Sequence, residues 1–131
     1  METINNEYYV SPEVAKLLEK VGFDWECRKC YNEGVLFDME PDEIRKQTPQ
    51  HSSYDVSAPT LEVAQRWLRE VKQCYVHVYP MFSFEGTLEH YFVGVIYPRS
   101  RDVKQNEFNT YEEAQEEGIK EALKIILYGK D

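Results

Sequence analysis

The chain has 131 residues, 42% hydrophobic and 14% aromatic, with ten tyrosines. That suits one domain able to bury roughly two thirds of its unfolded surface without staples, and it excludes wholesale disorder. The formal net charge of -9, from 24 acidic and 15 basic residues, repels phosphate backbones and anionic lipid, which excludes direct nucleic-acid or membrane binding as the default and favours a basic or neutral partner.

The start, METINNEYYVSPEV, lacks the charged end and apolar run of a signal peptide. No apolar stretch approaches the ~20 residues that span a bilayer. Three cysteines, an odd number, do not form a secreted disulfide framework. The expected address is cytoplasmic, with reduced thiols.

In chain order, Ser11 followed by Pro12 predicts a helix start, a capping hydroxyl and then a ring where the missing amide costs little. Val14, Leu17, Leu18 and Val21 form its stripe, and Gly22 ends it in the left-handed conformation with Phe23 packing back, after about three turns. Trp25 to Phe37 reads as a hairpin reversing at Asn32, Glu33 and Gly34. Residues 39–59 are polar and punctuated by Pro41 and Pro49, which predicts an irregular loop, either carrying a short helix around Asp42 to Lys46 or available to a partner.

The segment Ser57 to Pro80 is the most informative. Thr60 is placed as an N-cap, and Leu61, Ala64, Leu68 and Val71, widened by Val63 and Trp67, recur at helical spacing. From Cys74 the period becomes two, with Tyr75, His77 and Tyr79 on one side of a strand and Val76 and Val78 on the other, until Pro80. A turn at Glu85 and Gly86 leads to HYFVGVIYP, where both parities are apolar enough for a central strand. Arg99 to Asn109 reads as a polar link. Thr110 and Glu113 stand at capping-box spacing before a last helix with Tyr111, Ala114, Gly118, Ala122, Ile125 and Ile126 along one side and Glu112, Glu113, Glu116, Glu117 and Glu121 opposite. The expected architecture is a single α+β domain over 1–131: a small antiparallel sheet of about four strands in two hairpins, covered by about three helices.

Three collinear blocks, YYVSPEVAKLLEKVGFD, YDVSAPTLEVAQRWLREV with VHVYP, and FNTYEEAQEEGIKEALKII, cover about half the chain. In these the chain resembles a set of small uncharacterised proteins from Bacteroides-type gut bacteria, their prophages and mobile elements. The resemblance implies an intracellular bacterial or phage-derived protein. It implies no activity, cofactor or catalytic residue.

Cys27 and Cys30 form a CxxC, the spacing for one zinc or a redox disulfide. Only Cys74 and the scattered His51, His77 and His90 remain as further ligands, and no helix start follows as in a thioredoxin motif, so the pair reads as core-packed and no cofactor is expected. His77 and His90 would need a pocket and an acid to act as a base. There is no GxSxG, P-loop, GxGxxG or HExxH, and SPEVAKLLEKVGF is not followed by the second helix of a helix-turn-helix.

The leading expectation is a non-enzymatic protein-interaction module, using Tyr75, His77, Tyr79, Tyr91 and Tyr97 on a sheet face, or an uncovered strand edge, to hold a protein partner or a second copy. The alternatives are an acidic nucleic-acid mimic presenting Glu113, Glu117 and Glu121 to a host enzyme, and a metal or redox protein using Cys27 and Cys30.

Overall fold

The computed structural model describes residues 2–4, 7–38, 45–46, 55–97 and 100–129. In chain order its elements are β1 (Glu2–Ile4), β2 (Glu7–Tyr9), α1 (Pro12–Val21), β3 (Glu26–Cys27), β4 (Lys29–Asn32), β5 (Val35–Asp38), β6 (Arg45–Lys46), β7 (Asp55–Ser57), α2 (Leu61–Val71), β8 (Tyr75–Phe82), β9 (Leu88–Tyr97), β10 (Ser100–Phe108) and α3 (Tyr111–Tyr128). The fold is α+β.

The three helix starts follow from their caps. Ser11 Oγ accepts from the Val14 amide at 3.3 Å and Thr60 Oγ1 from Val63 at 3.2 Å. Thr110 Oγ1 accepts from the Glu113 amide at 3.1 Å and donates to the Glu113 carboxylate at 3.0 Å. This closes the box through the hydroxyl rather than through the Thr110 amide. α1 ends in a Schellman motif: Gly22 has φ 93°, its amide donates to Glu19 O and that of Phe23 to Leu18 O. The Phe23 ring is thereby buried, edge-on to Trp67 at 5.4 Å.

Both expected hairpins form, but they belong to different sheets. β4 and β5 pair across the two-residue turn Glu33-Gly34, and β8 and β9 pair across Ser83–Thr87. Each recruits a third strand from a segment that reads as a polar connection. β10 joins β9 in the order β10-β9-β8, and β7 joins β4 in the order β5-β4-β7. Two antiparallel three-stranded sheets therefore replace the single four-stranded sheet expected from sequence. β9 is central in its sheet, as its apolar parities predict.

Arg99 to Asn109 was legible only as a link because Ser100–Phe108 carries Val103 and Phe108 among polar residues, so β10 forms through its ladder to β9 and not through an apolar pattern. Within 39–59, Asp55–Ser57 is strand β7, and Arg45–Lys46 is a strand paired with β3 instead of the end of a helix. Residues 39–44 and 47–54, including His51, lie outside the described residues.

α3 packs across the inner face of β8 and β9 and against α1 and α2. Gly118 permits the close approach: a Cβ there would stand 2.5 Å from Val93 Cγ2 and 2.6 Å from Val76 Cγ1. The helix buries Ala114, Gln115, Gly118, Ile119, Ala122, Leu123 and Ile125, while Tyr111, expected on the buried stripe, is exposed, as is Val71 of α2. Buried residues of all three helices and both three-stranded sheets form one continuous core.

Candidate functional site

A single-residue irregularity in the β8–β9 hairpin decides which side chains share a face. Phe82 pairs with Leu88, but Met81 pairs with His90, so one extra residue, Glu89, is inserted into β9. Without it, Tyr79 would stand opposite Tyr91 and the tyrosines of both strands would share a face. With it, Tyr79 stands opposite Phe92, Tyr75 opposite Ile96 and His77 opposite Gly94.

Of the expected contact residues, Tyr75, His77 and Tyr79 therefore lie together on the outer face. Tyr91 and Tyr97 lie on the inner one, packed against the core, with the Tyr91 ring edge-on to Tyr111 of α3 at 6.0 Å. Met81, Phe92 and Ile96 take their place. The signal for Phe92 and Ile96 was the second apolar parity of β9, readable only once the bulge is known, whereas Met81 continues the parity of Tyr75, His77 and Tyr79 on β8.

The outer face is a row of rings. Tyr79 leans on Phe92 at 6.0 Å, and His90 meets Phe92 edge-on at 4.9 Å. Tyr75 and Tyr79 are exposed, and part-buried Phe92 and Ile96 are not among the residues packed against the core. At the tip of the hairpin the loop is held by Ser83 N–H to Thr87 O at 2.8 Å, Gly86 N–H to Ser83 O at 2.9 Å and Thr87 N–H to Ser83 Oγ at 3.1 Å. This bonded turn presents Phe84 at 103% exposure, with Phe82 at 54% and Leu88 at 45% beside it. Phe82 has the parity of Val76 and Val78, opposite to that of Tyr75 and Tyr79, so the exposed rings of the outer face and tip are Tyr75, Tyr79 and Phe84, which leave ~360 Å² in water, taking ~200 Å² per ring. That lies within the range for the largest patch on a monomer and is a little under half of the ~800 Å² each partner gives to a standard interface.

The free edge of β8 is less available than its face. Val76 O accepts from Gln65 Nε2 at 2.8 Å, and Gln65 Oε1 accepts from buried Gln115 Nε2 at 2.7 Å. In a pleated strand a residue's N–H and C=O point the same way and alternate, so Val78 and Pro80 also face that edge, where Pro80 has no N–H to offer. A side chain occupies one position and a proline blunts another.

Among the described residues no group of three or more His, Cys, Asp or Glu could hold a metal ion. His77 and His90 share the outer face, but their positions opposite Gly94 and Met81 place them about four residues of strand, ~13 Å, apart. His90 Nε2 lies 3.8 Å from Glu107 Oε1.

Cys27, Cys30 and Cys74 are buried thiols. Burial, with the neighbouring Cys30 adding, pushes Cys27 up to about 12, and burial pushes Cys74 up to about 11. Thiols held protonated are poor nucleophiles.

The glutamates of α3 serve its packing in part. Glu116 Oε1 accepts from the Ser11 amide at 3.0 Å at the start of α1. Lys120 lies 3.4 Å from Glu117 and 3.7 Å from Glu13. Burial would lower the Lys120 pKa, but Glu117 and Glu13 outweigh it and raise it. Glu113 is exposed and bonded to its own cap, and Glu121 is half-buried.

No protein-family model, curated protein or solved structure with which the chain was compared matches it. No helix of the described residues is long and apolar enough to cross a membrane.

Proposed function

We propose that this chain is a non-enzymatic protein-interaction module, of the bacterial or phage origin its sequence resemblance implies, whose docking surface is the outer face and tip of the β8–β9 hairpin. One observation carries the reading: an exposed aromatic face leads into a hydrogen-bonded turn that holds Phe84 fully in water. Ordering a loop around an exposed phenyl ring costs entropy and solvation, which a bound partner would offset by burying the ring as an anchor. The face is favoured over the β8 edge because Gln65 and Pro80 obstruct strand addition. The acidic-mimic reading gains no support from Glu117, which is engaged with Lys120.

The test compares wild type with Phe84→Ser and Tyr79→Glu, both at exposed positions. Proteins crosslinked to the wild type in a bacterial cytoplasm, lost with both variants, and protecting 75–92 from amide exchange, would support the surface. Capture that is equal for all three proteins would refute it.

A further inference from the structure

Resting on that reading, we infer that the partner of this face is a basic segment: lysine or arginine flanking an aromatic or aliphatic anchor that packs beside Phe84 and Tyr79. The sequence from 73 to 97 contains no lysine or arginine. Among the described residues the charges of the tip are carboxylates, with Glu85, Glu89 and Glu107 all exposed. β10 brings Arg101 only to the register position beside Ile96, at the end of the face remote from the tip.

An apolar centre with a rim of one charge sign selects the opposite sign in a partner, since it accelerates encounter and penalises like-charged competitors. The rings themselves add to this, because the faces of Tyr and Phe attract ammonium and guanidinium groups. The same charges disfavour an anionic bilayer at the tip, and a second copy would bring another net charge of -9 against the first.

The experiment is selection of random peptides displayed on phage against the intact protein at low salt. Fluorescence titration of the enriched peptides would follow, on wild type, on Phe84→Ser and on the charge-reversed Glu85→Lys/Glu89→Lys variant. The expected result is a consensus joining Lys or Arg to an aromatic or aliphatic residue. Its affinity should fall at least about tenfold on charge reversal and by a similar factor in high salt, and Phe84→Ser should abolish it. A neutral or acidic consensus, or binding indifferent to charge reversal yet lost with Phe84→Ser, overturns the basic partner while leaving the docking face in place. Enriched peptides that bind Phe84→Ser as well as wild type overturn both. Absence of any enrichment overturns the basic segment, as does sedimentation of the protein as a dimer that Phe84→Ser converts to monomer.

Discussion

Gly118→Ala tests the helix-to-sheet spacing on which the two-faced sheet depends. The added Cβ would stand 2.5 Å from Val93 Cγ2 and 2.6 Å from Val76 Cγ1, about 1 Å inside the 3.5–4.0 Å optimum for carbon contacts. Neither valine can turn away freely, since both are buried and branched at Cβ, with few rotamers to choose from. α3 must therefore lift or the sheet must bend, at an overpacking cost of ~1–3 kcal/mol. In an open helix interior the same change would gain ~1 kcal/mol from alanine's higher helix propensity. The expected net is a loss of ~0–2 kcal/mol, read as a lower urea midpoint with unchanged slope. Adding Val76→Ala should return part of that loss in a double-mutant cycle, because the pair shares the same space. A Gly118→Ala variant more stable than wild type would show propensity acting alone and refute the close approach.

Glu33 holds φ 52° beside Gly34 at 79°, the two left-handed positions of a type I′ turn, so Glu33→Asn should stabilise by ~0.5 kcal/mol in urea denaturation, and a loss would contradict that geometry. Tyr31→Phe removes the hydroxyl that donates to buried Val10 O at 2.6 Å. It should cost ~1–3 kcal/mol by stranding that carbonyl, and a change within error would mean the carbonyl finds water. With Cys27 held near 12 and Cys74 near 11 against an ordinary 9.0, the unfolded thiols lose protons first as pH rises. Their contribution is therefore fully present below pH 9 and is lost between 9 and about 11 to 12, by at most ~1.4 kcal/mol per pH unit for each thiol. Under reducing conditions, Cys27→Ala should show a shallower decline in stability across pH 9 to 10 than wild type, and parallel declines would refute the raised value.

The helices were legible because each starts at a short hydroxyl-bearing residue whose capping bond is local: Ser11, Thr60 and Thr110 cap as their positions predict. Turns were legible for the same reason, Gly22 and Gly34 supplying conformations that need no tertiary partner. What stayed hidden is non-local. β7 and β10 have too few apolar residues to announce themselves, and they exist because β4 and β9 offer an open edge. The surface was hidden at two points. Phe84 lies in a stretch that reads only as a turn, and nothing in LEHYF marks Glu89 as an inserted residue, yet that insertion moves Tyr91 from the face of Tyr79 to the core and brings Phe92 out in its stead. Ile119 and Leu123 were missed on α3 because the helix is buried on more than one side, against the sheet, α1 and α2 together.

The distribution of carboxylates bears on the same surface. Along α3 they look inward to the protein's own needs, Glu116 holding the start of α1 and Glu117 sharing Lys120 with Glu13. Around the hairpin tip Glu85, Glu89 and Glu107 stand exposed beside exposed rings. An exposed aromatic face on a small domain invites indiscriminate association, and two devices oppose it here. The β8 edge is obstructed by Gln65 and Pro80, which hinders growth by strand addition, and the excess of negative charge makes copies repel. Both devices act against further copies of the same chain, and neither covers the rings themselves. The face is thereby left open to a partner that brings positive charge, which is the condition under which ~360 Å² of exposed ring surface is a means of recognition rather than a liability.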